Sequence, residues 1–214
     1  LGAVDLHARP LAAAVKRLIA AALAAPLLLG ACGTAAKTPA TPGSPAAAPA
    51  AAVAEVKASD EHNDTDVMFL QMLVFHQKQG LEMTSTAIKR AKTPELKTLA
   101  EAVQATEKDE LELIESWLSG WGKETEVGKA ASLHADHGGL PGTGPAEIKS
   151  LTTVAEKGFD TAFLNLFLAH QHQAIEMAQM EQKDGANAEA KAFAERVIQS
   201  RQGEIQQMLK LMNG

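Results

Sequence analysis

Two histidines and their methionines recur at matching positions in two parts of the sequence. Met83 follows His76 by seven residues, and Met177 follows His170 by seven residues, while Met72 stands four residues before His76. On an α-helix, residues three, four and seven apart share one face, so each histidine lies on a stripe with its methionine. Neutral imidazole and thioether suit copper, because methionine favours Cu(I) and histidine binds either oxidation state.

The same stripes also fit a purely structural interpretation. Buried methionines fill gaps in hydrophobic cores, and a buried histidine in each half would be held by hydrogen bonds. Spacing by itself does not separate a copper site from a core, so both interpretations stay open at this stage.

Three further histidines are weaker candidate ligands. His172 lies two residues after His170, on a different side of the helix, where we expect it to be exposed. His134 and His137 flank Asp136 in a glycine-rich segment. With Asp136 they are a weaker, alternative candidate site for a divalent ion, and the other interpretation is that these loop histidines are solvated.

The sequence predicts no catalytic activity. A di-iron bundle needs Glu-x-x-His on its helices, and no histidine here has glutamate three residues before it. A Gly-x-Ser-x-Gly elbow and a glycine-rich phosphate loop are also missing from the sequence. The acidic residues of the second helical segment are expected to form a solvated face; they are Glu107, Asp109, Glu110, Glu112 and Glu115.

Composition limits the remaining functions. The 214 residues carry a net charge of −6 with six Phe, two Trp and no Tyr. An acidic chain so poor in aromatics is not typical of nucleic-acid binding. The single cysteine, Cys32, excludes an internal disulfide and cysteine-rich zinc or iron–sulfur sites. A core made mainly of Leu, Met, Ile, Val and Ala favours helix over sheet.

The N-terminal region is interpreted as a targeting segment. Two basic residues precede an apolar stretch that is too short to span a membrane and fits a signal peptide. The stretch ends in Leu29-Gly30-Ala31-Cys32, which resembles a bacterial lipobox. We expect residues 1–31 to be a signal peptide and Cys32 to carry a lipid that holds the protein on the extracytoplasmic face of the cell membrane. The alternative is an ordinary secretory signal with a coincidental cysteine.

An internal repeat of period 94 organises the rest of the chain. Residues 66–83 align without a gap with residues 160–177, and eight of the 18 aligned positions are identical. We interpret the match as a duplication. Residues 32–58, rich in Ala and Pro, are expected to be an unstructured tether before it.

Each repeat has the pattern of a helical hairpin. Residues 59–214 are therefore predicted to be all-α, a four-helix bundle made of two duplicated hairpins. Repeat one is placed at 60–122, a loop at 123–145 and repeat two at 146–213. The predicted helices cover about 64–91, 94–118, 146–157, 160–183 and 188–212.

These motifs together resemble a known family. The block from Asp66 to Met83, its copy from Asp160 to Met177 and the Trp-Leu-x-x-Trp-Gly ending at Gly122 resemble domain-of-unknown-function family 305. This bacterial extracytoplasmic group consists of ferritin-like four-helix bundles, and some members are periplasmic copper binders that use His and Met. The resemblance, over about residues 60–212, implies a lipid-anchored metal-binding protein that acts in copper buffering or tolerance.

The chain departs from the family pattern at several candidate ligands. The family has a second histidine where this chain has Gln77 and Gln171, and many relatives carry a Met-Pro-Gly-Met loop where this chain has Leu140-Pro141-Gly142-Thr143. A glutamine usual in the second helix is Glu107 in repeat one and Arg201 in repeat two. The alternative function is therefore a non-catalytic envelope bundle that has lost its metal site and binds an unknown protein partner or small ligand.

Overall fold

The structure, a computed structural model, describes residues 57–125 and 142–213. The predicted signal peptide, Cys32, most of the tether and the loop histidines His134 and His137 lie outside the described residues. The described residues form five α-helices and one 3₁₀ turn, without a strand. The elements are α1 (Asp64–Arg90), α2 (Pro94–Gly120), α3 (Pro145–Thr153), the 3₁₀ turn (Glu156–Gly158), α4 (Phe159–Asp184) and α5 (Ala188–Asn213).

Capping polar residues or a proline mark the points where three of the helices begin. Asn63 caps α1: its side chain accepts from the amide of Asp66 at 3.0 Å, and the Asp66 carboxylate accepts from the amide of Asn63 at 2.6 Å. Asn187 caps α5, accepting from the amide of Ala190 at 2.8 Å. Pro94 opens α2 at the position where proline is favoured.

Two helix ends differ from the prediction for identifiable reasons. Helix α2 continues to Gly120, and Gly122, with φ of 66°, then lets the amide of Lys123 return to the carbonyl of Leu118 at 2.8 Å. Helix α3 ends at Thr153 rather than near 157. Arg90 of α1 donates to the carbonyl of Val154 at 2.6 Å and so satisfies that helix end.

The long helices pack as two antiparallel hairpins, α1 with α2 and α4 with α5, and α1 lies antiparallel against α4. The predicted four-helix bundle is therefore confirmed. Its apolar core has two halves, one around Phe69, Trp117 and Phe193 and the other around Phe163 and Leu96. A polar layer separates the halves and contains His76, Gln77, Glu107, Glu110, His170, Gln171, Arg201 and Glu204.

The repeats are also tied together at their ends. Asp66 accepts from the backbone amides of residues 186–187, in the turn of repeat two, and Asp160 accepts from those of residues 92–93, in the turn of repeat one. Ala58, which the sequence assigns to the tether, is buried against the core. Among the described helices, none has the length and apolar character needed to cross a bilayer.

Candidate functional site

The two repeated histidines meet at the centre of the bundle. The rings of His76 and His170 stack with centroids 3.5 Å apart and planes 9° apart. Both side chains are buried, with exposures of 1% and 0%. Because they hold equivalent positions in the two repeats, the stack lies on the pseudo-two-fold axis between the hairpins. Both imidazoles therefore point into the bundle, as the apolar stripes predict.

Each imidazole keeps one nitrogen without a hydrogen-bond partner. The Nε2 of His76 lies 2.9 Å from the backbone oxygen of His170. Because a carbonyl only accepts, this nitrogen carries the proton, and the Nδ1 of His76 presents a lone pair with no partner. In His170 the Nδ1 is 2.9 Å from the hydroxyl of Thr143, and the Nε2 has no partner.

Thr143 orients His170 and is itself held by Gln79. The Gln79 amide donates to the carbonyl of Thr143 at 2.8 Å and accepts from its backbone N–H at 3.0 Å. The neighbouring Gly142 leaves room for this contact, since a Cβ there would stand 2.6 Å from the Gln79 oxygen. Thr143 is not among the site residues that the sequence predicts. The one feature of the sequence that marks Thr143 is that many family members carry methionine at this position.

The methionines are buried but do not converge on the histidine pair. Met72 and Met177 pack in one half of the core, and Met83 packs in the other half. Seven residues of helix span about 10 Å, and α1 and α4 run antiparallel, so Met83 and Met177 lie on opposite sides of the stacked rings. A single ion at the histidines would not reach both sulfurs.

The second part of the polar layer is a buried ionic cluster around Arg201. Its guanidinium reaches the carboxylates of Glu204 at 3.1 Å and Glu107 at 3.8 Å and also pairs with Glu110. The side chains of Arg201 and Glu107 are both fully buried. Gly80 makes room for Glu107, because a Cβ at this glycine would lie 2.2 Å from the Glu107 oxygen.

The expectation that the α2 acids form a solvated face is wrong for Glu107 and Glu110. Both are buried, while Asp109 and Glu112 are exposed. The spacing of the acidic residues along α2 does not indicate their counter-ion, because Arg201 lies 91 residues after Glu110 in the sequence. The positively charged partner, Arg201, is brought to them only by the packing of α5 against α2.

The two glutamines that replace the family's second histidine bind this cluster. Gln77 donates to Glu110 at 2.7 Å, and Gln171 donates to Glu204 at the same distance. The two pairs are equivalent in the two repeats. Gln171 also donates to Glu107 at 3.1 Å. The amide groups of Gln77 and Gln171 therefore donate to the carboxylates. They are not placed beside the histidine nitrogens as further metal ligands.

Comparison with known families identifies the bundle. The family described as "Domain of unknown function (DUF305)" matches residues 66–212. The chain belongs to this family. No curated protein matches it significantly.

Solved DUF305 proteins share the fold at low identity. A DUF305 fragment from Deinococcus radiodurans is 20% identical with a TM-score of 0.62, over 71% of this chain and 97% of the other. A DUF305 protein from Streptomyces coelicolor, described as secreted, is 22% identical with a TM-score of 0.63, over 69% and 91%. CopM in a Cu(II)-bound form is 25% identical with a TM-score of 0.58, over 68% and 94%.

Burial keeps both histidines of this DUF305 chain neutral. It lowers the pKa of His76 to about 3, the hydrogen bond to His170 opposing it only in part. Burial also lowers the pKa of His170 well below its ordinary value, and the charges of His76 and Arg201 act in the same direction. At neutral pH the Nδ1 of His76 can therefore offer a lone pair to a metal ion, and the Nε2 of His170 can do so in the tautomer whose Nδ1 donates to Thr143.

The pKa values of Glu107 and Glu110, in the same polar layer, are raised. Burial raises the pKa of Glu107 to about 8, although Arg201 opposes the shift, and burial also raises the pKa of Glu110. Burial alone would lower the pKa of Arg201, but the three glutamates raise it above its usual value. Arg201 is therefore a permanent cation, and Glu107 binds a proton more readily than a free glutamate does.

The remaining sequence candidates lie apart from this centre. His172 is exposed, as expected from its place on α4. His134 and His137 fall outside the described residues. Within residues 57–125 and 142–213, no three His, Cys, Asp or Glu side chains are grouped as a metal site of that size would need.

Proposed function

We propose that this DUF305 protein is a lipid-anchored, extracytoplasmic copper-binding protein that acts in copper buffering or tolerance and not in catalysis. The observation that carries the proposal is the pair of His76 and His170. These two buried, neutral imidazoles meet across the repeats, and each keeps one ring nitrogen without a partner. The likeness to CopM, solved with Cu(I) and with Cu(II), supports copper as the ion.

The donor set fits copper after one local change. The Nδ1 of His76 and the Nε2 of His170 would hold the ion, and imidazole suits both oxidation states of copper. A metal lies in the plane of its imidazole at about 2.0–2.1 Å, so two parallel rings 3.5 Å apart do not share one ion. One ring would therefore have to turn, which breaks either the hydrogen bond of His76 to the His170 carbonyl or the hydrogen bond between His170 and Thr143.

A second candidate function is a non-catalytic binding bundle without metal. The polar layer favours it, because the guanidinium of Arg201 already supplies a cation to Glu107, Glu110 and Glu204. Gln77 and Gln171 are engaged with the same carboxylates. On this alternative the histidine stack is a packing feature, and the protein binds no copper with appreciable affinity.

Titration of the purified full chain with Cu(I) and Cu(II), against a competing chelator, separates the two candidates. The site variant is His76→Gln/His170→Gln, and the matched control is the exposed His172→Gln. We expect the control to bind as the parent does and the site variant to lose about 100-fold in affinity or more. Circular dichroism verifies that each variant folds.

The other outcomes are equally informative. Binding that is unchanged in the site variant but lost in His134→Gln/His137→Gln would place the metal in the loop and overturn the histidine-pair site. A parent that binds neither ion would favour the second candidate.

The membrane anchor is tested separately at Cys32. The lipobox ending at Cys32 supports lipidation, and metabolic labelling with an alkyne fatty acid followed by membrane fractionation reports it. We expect Cys32→Ala to lose both the label and the membrane association. Membrane association that persists without label would contradict the lipid anchor, and a parent that is neither labelled nor bound to membranes would favour an ordinary signal peptide.

A further inference from the structure

Asp66 and Asp160 each accept hydrogen bonds from the turn of the other repeat, and the surroundings of these two contacts differ in one buried residue. We call the contact of Asp66 with the amides of residues 186–187 the Asp66 latch, with distances of 3.0 and 2.9 Å. The contact of Asp160 with the amides of residues 92–93, at 2.9 and 3.0 Å, is the Asp160 latch. The 94-residue repeat makes the two latches equivalent.

Glu181 stands beside the Asp66 latch alone. Its side chain is fully buried, and neither carboxyl oxygen accepts a hydrogen bond. The carboxyl lies over the α4–α5 turn, since a Cβ on Gly185 would be 2.2 Å from the Glu181 oxygen. The equivalent residue in repeat one is Ala87, so the Asp160 latch has no buried carboxyl at this position, and Glu156, which pairs with Lys92 there, is exposed.

The charged groups around Glu181 define its chemistry. Asp66 faces it from α1, and Lys191 faces it from α5, where the Lys191 ammonium donates to the carbonyl of Gly185 at 3.2 Å. Lys183 and Asp184, on its own helix, are exposed and pair with each other. Burial and then the neighbouring Asp66 raise the pKa of Glu181 to about 8, and Lys191 opposes them. Two adjacent carboxyls without a donor between them are stable when one carries a proton.

We propose that Glu181 makes the Asp66 latch a pH-sensitive joint, closed when Glu181 is protonated and loosened when it is ionised. The protonated carboxyl donates to the Asp66 carboxylate and holds the α4–α5 turn against the start of α1. The ionised carboxyl repels Asp66, and the turn amides lose their acceptor. The Asn187 side chain also donates to the carbonyl of Glu61 at 2.8 Å, so the Asp66 latch lies where the chain enters α1.

The direction of the effect follows from linkage. A carboxyl whose pKa is higher in the closed state than in the open state favours closure at low pH and loses that effect as pH rises through its closed-state pKa. The Asp66 latch should therefore be closed in mild acid and loosen above about pH 8. The Asp160 latch should not respond and serves as an internal control within the same molecule.

Amide hydrogen exchange measured by NMR on the full chain tests the proposal. Exchange rates of the amides of residues 186–187 and 92–93 are divided by their intrinsic rates between about pH 6 and pH 9. We expect protection at residues 186–187 to fall about tenfold relative to residues 92–93 over this range, the change that one pKa unit corresponds to. Glu181→Gln should abolish the fall, and the exposed Glu176→Gln should leave it unchanged.

Two results would overturn the proposal. One is an equal pH response of both latches, and the other is a response that persists in Glu181→Gln. Should the glutamine variant fail to fold, Glu181→Ala reproduces the residue that repeat one carries at this position and must likewise remove the response.

Discussion

Glu107 and Arg201 hold equivalent positions in the two repeats, and their side chains face each other in the buried centre with Nη2 3.8 Å from Oε1. The surrounding contacts keep the two-fold symmetry, since Gln77–Glu110 and Gln171–Glu204 match at 2.7 Å. A strict duplication would place two like residues at the centre. An acid and a base at these positions instead give the buried carboxylates one internal counter-ion.

Removing that counter-ion should be strongly destabilising. Arg201→Met leaves three buried carboxyls without a cation, and breaking a buried ion pair from one side costs about 3–5 kcal/mol. Urea denaturation at neutral pH measures the free energy of unfolding.

The control for this prediction is Glu107→Gln/Arg201→Gln, which gives both repeats the same neutral residue. We expect it to lose less stability than Arg201→Met, because one buried acid is removed together with the base. A loss in Arg201→Met below about 1 kcal/mol, the scale of an exposed pair, would contradict the role of Arg201 as counter-ion.

The fold could be predicted from the sequence, whereas the centre of the site could be predicted only in part. Helices and the bundle follow from apolar periodicity and from a repeat that is visible without any coordinates. His76 and His170 were found because the repeat duplicates them. The burial of Glu107, the counter-ion Arg201 and the role of Thr143 depend on contacts between distant segments, which residue spacing within one helix does not encode.

Glu107 should make the protein less stable as pH rises. Its pKa of about 8 in the folded state lies above its ordinary 4.5, so its contribution to stability is full below about 4.5 and is lost as pH rises through 8. Chemical denaturation at a series of pH values should show a smaller decline in Glu107→Gln than in the parent. The exposed Glu112→Gln on the same helix should decline as the parent does; an equal decline in all three proteins would refute this assignment.

The histidine pair should limit stability on the acid side. His76 has a folded-state pKa of about 3 against an ordinary 6.5, so the stability it contributes is full above 6.5 and is lost as pH falls towards 3. Stability falls at low pH because of His76 and at high pH because of Glu107, so the free energy of unfolding should be largest in mild acid. We expect His76→Gln to lose less stability than the parent as pH falls from about 4.5 to 3, where Glu107 is protonated in both the folded and the unfolded chain, and His172→Gln to retain the parent's dependence. A parent melting temperature that is flat across this interval would contradict the shift.

Thr143 should control copper affinity through His170 if the proposed function holds. Thr143→Val keeps the shape of the side chain but removes the hydroxyl bonded to the Nδ1 of His170. Loss of a group that orients a metal ligand typically costs about 10–100-fold in affinity, and loss of one buried hydrogen bond costs about 1 kcal/mol of stability. Thr106→Val, which removes a hydroxyl bond within α2, is the matched control for copper titration. A Thr143→Val variant with the parent's affinity, alongside a His76→Gln variant that no longer binds, would show that the Thr143 hydroxyl does not position His170 as a ligand.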